Sequence, residues 1–220
     1  MKSHTCRSAR LIFGLFLYAL GIALTLQAEI GYAPWDVFHA GLSKALGITI
    51  GWASISTGVV VVSLAFFLGE KIGLGSLLNM VLVGAFLDLI LAGNFLPPAP
   101  NFSAGVAMMA AGLGVISLAT YFYISSAFGA GPRDSLMVVL ARKTGLPVGI
   151  CRAAVELAAL TIGWRLGGMV GWGTVIFAVL SGFFVELTFR LLRFEVTKVQ
   201  HEDLQATLAF LKPLGKQKSS

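Results

Sequence analysis

"GYAPWDVFHAGLSKALG", residues 31–47, stands between two long apolar runs, and the chain repeats its pattern as "GAGPRDSLMVVLARKTG", residues 129–145. The two stretches share a first glycine, a proline, an aspartate, a leucine and a closing glycine at the same spacing. Proline suits the first turn of a helix, a carboxylate there complements the positive end of the helix dipole, and glycine commonly ends a helix. The pattern therefore predicts two short helices, at 34–46 and 132–144.

The composition is that of a membrane protein. Apolar residues make up 57% of the 220 residues and charged residues only 12%, with a mean hydropathy of +0.87. Soluble domains carry about 25% charged residues. The net charge of +6 does not indicate a nucleic-acid partner, because the lysines and arginines lie at predicted helix ends and in the tails, as membrane topology requires. We expect an all-α, polytopic integral membrane protein whose main partner is the lipid bilayer.

Six apolar runs reach the length of a membrane-spanning helix, roughly 17–25 residues. The first follows a basic start that resembles a signal peptide, but its apolar part, Leu11 to Leu26, is long for one, so we interpret it as a retained helix. All four tryptophans fall at predicted span ends, which is typical of the headgroup boundary. The predicted spans are 9–28, 52–69, 75–93, 104–128, 149–166 and 173–193.

The chain contains an internal repeat. Shifting it by 98 residues aligns 31–91 with 129–189 without a gap, and 15 of the 61 aligned positions are identical, seven of them glycine. Each repeat holds a span, a short helix and two further spans. We therefore divide the chain into a first repeat, 1–98, a second repeat, 99–193, and a cytoplasmic tail, 194–220.

The length of the short helices decides the predicted topology. Thirteen residues make about 20 Å of helix, whereas the hydrocarbon layer is about 30 Å thick. If the short helices do not cross, each repeat crosses three times and the second repeat is inverted. With both termini cytoplasmic, this arrangement places 14 of the 16 lysines and arginines inside. A parallel arrangement with crossing short helices places 13 of them inside and stays open as the alternative.

The starts of the short helices are the first candidates for a binding site. In transporters built from inverted repeats, short interrupted segments at matching places point to the substrate site. Asp36 and Asp134, which both repeats retain, would hold a substrate or a proton. His39 and Ser43 extend a polar stripe from Asp36, and Arg133 is either a substrate-facing cation or a cytoplasmic topology signal. The alternative is that each short helix lies on a membrane surface.

Other ionisable residues within the predicted spans are candidates for ion coupling, because burying a charge in lipid is costly. Asp88 and Glu186 are repeat-equivalent and lie near the ends of their spans, where side chains that reach the interface are the alternative explanation. Glu156 follows Arg152 by four residues, so a local ion pair competes with a coupling role.

No enzyme motif, cofactor motif or metal-ligand spacing is present in the sequence. The two cysteines, Cys6 and Cys151, stand far apart and are expected to be unpaired. We therefore expect a non-enzymatic protein with no cofactor and no metal site.

Residues 31–62 ("GYAPWDVFHAGLSKALGITIGWASISTGVVVV") and 129–156 ("GAGPRDSLMVVLARKTGLPVGICRAAVE") resemble the YczE-like membrane proteins of bacteria, relatives of the YitT group. The resemblance covers nearly the whole chain except its C-terminal tail, and it implies a bacterial inner-membrane protein without an agreed substrate. The function we expect is that of a small transporter or permease with a site between the two repeats for an unknown solute or ion. The alternative is an accessory or scaffold protein that assembles with a partner, and a homo-oligomer stays open.

Overall fold

The computed structural model describes residues 2–70, 73–129 and 131–194. Within these ranges the chain forms eight α-helices and no strand, which confirms the all-α prediction. Nearly all of the predicted tail, 195–220, lies outside the described residues. The helices are α1 (Lys2–Gln27), α2 (Pro34–Leu46), α3 (Ile50–Phe67), α4 (Leu74–Ala92), α5 (Phe102–Ser125), α6 (Pro132–Thr144), α7 (Val148–Arg165) and α8 (Trp172–Leu191).

Five of the described helices, α1, α3, α4, α5 and α8, are long and apolar enough to cross a membrane. The sequence predicts a sixth span at 149–166, where the structure has α7. Helix α7 has 18 residues, as α3 does, but it carries Arg152, Glu156 and Arg165. Length and composition therefore support five spans, and the charges on α7 set it apart from the others.

The two short helices begin and end at the residues that the repeated motif indicates. Each has proline at its first position and a glycine in the left-handed conformation after its last residue, with φ of 67° at Gly47 and 73° at Gly145. Only glycine adopts this conformation without steric cost, so it stops both helices. Thirteen residues of ordered helix in each repeat are thus fixed by local sequence.

Helices α1 and α5 cross at the centre of the bundle. Gly21 and Gly112 allow the close approach, since a Cβ on either one would lie 3.0 Å from the carbonyl oxygen of the other. Small residues at such crossings let helix backbones pack tightly where no water drives association. Helix α4 packs on α1 and α8 on α5, while each short helix packs on the other repeat, α2 on α7 and α6 on α3.

Contacts between the repeats occur in equivalent pairs. The Gly173 N–H donates to the Ile30 carbonyl at 2.7 Å, and 98 residues away the Gly75 N–H donates to Phe128 at 2.8 Å. Likewise, Lys44 donates to the Gly167 carbonyl and Arg142 to the Gly69 carbonyl. Each repeat therefore holds the other through the same bonds, and the starts of α2 and α6 are brought to the centre.

Candidate functional site

A cavity of about 530 Å³ lies between the repeats, and we call it the central cavity. Both repeats line it at equivalent positions, including Pro34 with Pro132 and Asp36 with Asp134. Helices α2 and α6 thus begin at its wall.

Two equivalent residues meet where the short helices begin. The Arg133 guanidinium carbon lies 4.7 Å from the centroid of the Trp35 ring, within the range of a cation–π interaction. Trp35 is buried, and its Nε1–H has no hydrogen-bond partner among the described residues. Trp35 lines the cavity, whereas Trp52, Trp164 and Trp172 are exposed.

Asp36 and His39 form the buried part of the site. Asp36 is 4% exposed and His39 2%, and the His39 Nδ1 lies 3.6 Å from the Asp36 Oδ1. Burial lowers the pKa of His39 below its usual value, an effect that the neighbouring Asp36 carboxylate partly opposes. His39 is therefore neutral at neutral pH.

Asp134 has different surroundings from its equivalent. Its side chain is exposed to the cavity, and Met137 occupies the position that corresponds to His39. Met137 is buried and also lines the cavity. The two aspartates thus face one cavity from opposite repeats, one buried beside a histidine and the other open.

Three further charged residues line the second-repeat side of the cavity. Arg152 and Glu156 form the ion pair on α7 that their spacing predicts, with the Arg152 Nε 2.9 Å from the Glu156 carboxylate. Glu186 lies on α8 and pairs with Arg190 at 2.7 Å. The structure therefore brings six of the candidate residues to one cavity: Asp36, His39, Arg133, Asp134, Glu156 and Glu186.

Ser43 and Asp88 lie elsewhere. The Ser43 hydroxyl donates to the Ile48 carbonyl beyond the end of α2. Asp88 accepts hydrogen bonds from the Gly51 N–H and the Thr49 hydroxyl at the start of α3. These bonds give both residues local structural partners, and neither residue lines the cavity.

Sequence reasoning missed several cavity residues because they lie on the long spans. Tyr18, Thr57 and Tyr123 line the cavity, yet in the sequence nothing marks which face of each predicted span points inward. Trp35 was accessible to prediction, since the repeat alignment sets it opposite Arg133 and next to an aspartate. To predict which residues of the long spans face the cavity, one must know how the helices pack.

The arrangement can bind a small polar solute. Carboxylates accept hydrogen bonds from a cationic or amine group, while Arg133 and the uncapped N–H groups at the helix starts donate to an anionic one. Within the described ranges no group of three histidine, cysteine or acidic residues has metal-site geometry. Cys6 and Cys151 are both free thiols in the structure.

Residues 5–190 match a family of unknown function, DUF6198. The uncharacterized membrane protein YczE of Bacillus subtilis is 38% identical over 185 residues, which cover 80% of this chain and 81% of the relative. An uncharacterized protein of Haemophilus influenzae is 33% identical over 82% of this chain and 84% of its own length. The uncharacterized protein YyaS of B. subtilis is 26% identical over 79% and 88%.

No solved structure matches the chain. The family match covers most of the sequence, and the similarity to YczE runs through both repeats and confirms the resemblance drawn from the repeated motif. The chain is a membrane protein that belongs to the DUF6198 family, together with YczE-like proteins.

Proposed function

We propose that the protein is a non-enzymatic transporter of a small solute and that the solute binds in the central cavity between the starts of α2 and α6. In this proposal α7 is a sixth span, the short helices do not cross, and the two repeats have opposite orientations in the bacterial inner membrane. Both termini are then cytoplasmic. Two of the three charged residues of α7, Arg152 and Glu156, line the cavity as an ion pair, which explains how this helix can span.

The central cavity is the observation that carries the proposal. Its volume of about 530 Å³ is within the usual range of small-molecule sites, about 300–1,000 Å³. Its walls come from both repeats, and its polar groups include the aspartates that the duplication retained. Inverted-repeat transporters hold their substrates at this kind of place, between interrupted helices near the middle of the membrane.

In this proposal the charged residues of the cavity have different roles because their surroundings differ. Asp36 is buried beside a neutral histidine, so it favours a cationic or hydrogen-bond-donating group of the solute. Asp134 is open to the cavity and is the better candidate for proton exchange. Arg133, held on the Trp35 ring, provides a positive charge at the cavity wall.

Uptake by purified protein tests the proposal. The protein is reconstituted into vesicles of phosphatidylethanolamine and phosphatidylglycerol and given radiolabelled amino acids, small organic cations and small organic anions. We expect uptake of one class above that of empty vesicles. Asp36→Asn and Asp134→Asn should each reduce it at least tenfold at unchanged abundance, because each removes a cavity carboxylate. Glu29→Gln, which neutralises an exposed carboxylate outside the cavity, is the matched control.

Uptake equal to that of empty vesicles for every probe contradicts the transporter and favours the accessory or scaffold role. Normal uptake by both asparagine variants would place the site elsewhere. If the variants lose abundance instead of uptake, the aspartates serve only the stability of the helix starts.

The topology has its own test. Ala45 and Lys143 are repeat-equivalent, and both are exposed near the ends of the short helices. In a variant without Cys6 and Cys151, a cysteine at position 45 should react with an impermeant maleimide from the periplasm, and one at position 143 only from the cytoplasm. Reaction of both from one side contradicts inverted repeats.

A further inference from the structure

The first repeat closes the space between its last two helices. Helices α3 and α4 pack directly, and Gly51 and Gly84 are buried against each other's backbone with no room for a Cβ on either. Across this seam the Asp88 carboxylate accepts the Gly51 N–H at 2.8 Å and the Thr49 hydroxyl. Asp88 thus ties α4 to the start of α3.

The second repeat has the same residues in an open arrangement. Gly149 and Gly182 are exposed, and a Cβ on either would meet no atom within 4 Å. Glu186, the equivalent of Asp88, is bonded to Arg190 on its own helix instead of to the start of α7. Helices α7 and α8 are not among the packed pairs of the described bundle.

The cavity extends through this gap. Gly182, Val185 and Glu186 of α8 line it, whereas their first-repeat equivalents, Gly84, Leu87 and Asp88, do not. The central cavity therefore opens between α7 and α8 and is closed between α3 and α4.

In this conformation no packing contact requires glycine at Gly149 or Gly182 of the open seam. Glycine within a helix is destabilising relative to alanine, and here each glycine has space for a side chain. In the closed seam their equivalents are required for contact. A conformation in which α7 and α8 close in the same way would give Gly149 and Gly182 that role.

We infer that the two seams are alternating gates, in which Asp88 latches α3 to α4 and Glu186 latches α7 to α8 in a second conformation whose first seam is open. The inference rests on the proposed function and its topology, which set the Asp88 gate at the outer face and the Glu186 gate at the inner face. The described conformation is then open to the cytoplasm. Rocking of one repeat against the other exchanges the two states.

Accessibility of a cavity cysteine tests the gates without knowledge of the solute. The parent carries Cys6→Ser, Cys151→Ser and Thr57→Cys, which places one thiol in the cavity wall. Spheroplasts and inverted membrane vesicles are treated with an impermeant methanethiosulfonate, and the remaining thiol is counted with a fluorescent maleimide after denaturation. We expect modification from both sides, since both gates open in turn.

Gly182→Leu fills the open seam, so it should block closure of α7 on α8 and hold the protein open to the cytoplasm. Modification from outside should fall at least tenfold while modification from inside persists. Gly114→Leu is the matched control, because Gly114 is also a helix glycine with no atom within 4 Å but lies away from either seam. Asp88→Asn should raise outside modification several-fold by weakening the closed latch.

Modification of the parent from one side only, or unchanged outside modification in Gly182→Leu, overturns the inference. If Gly182→Leu does not accumulate as a folded monodisperse protein, Gly149→Leu fills the same seam from α7 and decides the question. The labelling readout does not depend on uptake. A negative labelling result would therefore overturn the gates only, and the vesicle uptake assay would still decide whether a solute is transported. Absence of uptake likewise leaves the labelling result intact.

Discussion

The two short helices share one motif but differ in how tightly the other repeat holds them. Helix α2 lies against α7 at Gly41 and Gly163, where the helix backbones touch. The equivalent contact of α6 with α3 falls at Val139 and Ala65, both buried. Asp36 is buried on α2, while Asp134 on α6 is exposed to the cavity. A duplicated unit has thus become one close-packed half-site and one open half-site, and sequence differences at the contacts account for it.

The largest expected effect comes from changing the close contact between α2 and α7 so that it resembles the contact between α6 and α3. Gly163→Ala introduces the residue found at position 65, but an added Cβ would meet the backbone of Val37 and Phe38. We expect a loss of about 1–3 kcal/mol or more in the free energy of unfolding, as for other overpacked sites. Thermal unfolding in detergent measures it as a fall in Tm of several degrees.

Gly114→Ala is the control for this change, since the same methyl group enters open space. It should leave Tm unchanged or raise it slightly, because alanine is the better helix former. Equal Tm values for Gly163→Ala and Gly114→Ala would show that α2 is no more tightly held than α6.

A smaller effect is expected where the halves meet, at Trp35 and Arg133. Because these residues are equivalent, exchanging them should preserve the cation–π contact. Trp35→Arg alone sets two cations together and Arg133→Trp alone removes the cation, so each should lose about 0.5–2 kcal/mol of stability. The double exchange should recover most of this loss in a thermal-unfolding cycle. Additive losses in the double variant would contradict an equivalent placement of the two positions.

His39 offers a pH-dependent difference between the halves. Burial lowers its pKa in the folded protein, so below about pH 6.5, the ordinary value of histidine, the unfolded chain binds a proton that the folded chain does not. Stability should therefore fall as pH falls through that region and be fully present above it. His39→Met copies the residue at position 137 and should flatten this part of the Tm-against-pH curve between pH 7 and pH 5.

The neutral substitution His39→Gln should flatten the curve equally, which separates the loss of a titrating group from a change in packing. A slope that survives in both variants would assign the proton to a group other than His39.

Local sequence was sufficient for the helices and for part of the site. Proline, aspartate and glycine at fixed spacing define α2 and α6, since each acts within one helical turn. The repeat alignment selected Asp36 and Asp134, and the structure sets both at the cavity. These features depend on neighbours in the chain or on a comparison of the chain with itself.

The difference between the halves was not accessible in the same way. Asp88 and Glu186 look alike in the alignment, yet one bonds across a helix seam and the other along its own helix. Which state a seam adopts depends on contacts between distant helices and on small differences in free energy. The surroundings of Ser43 were not predictable for a similar reason. Helical periodicity places Ser43 on the same face as Asp36, but the Ser43 hydroxyl donates to the Ile48 carbonyl, which lies beyond the end of the helix.

The smallest expected effect concerns the equivalent cations Lys44 and Arg142, which donate to the carbonyls of Gly167 and Gly69, two residues beyond the ends of α7 and α3. Arg142 also pairs with Glu70 at 3.1 Å, whereas the position equivalent to Glu70 is Gly168. Because these groups are largely exposed, Lys44→Met and Arg142→Met should each cost no more than about 1 kcal/mol, and Arg142→Met should cost more. In a thermal-unfolding cycle with Glu70→Gln, only Arg142 should show coupling. If Lys44→Met instead lost more stability than Arg142→Met, the bond from Lys44 to the Gly167 carbonyl would contribute more than the Arg142–Glu70 ion pair, and it would help to hold α2 more tightly than α6.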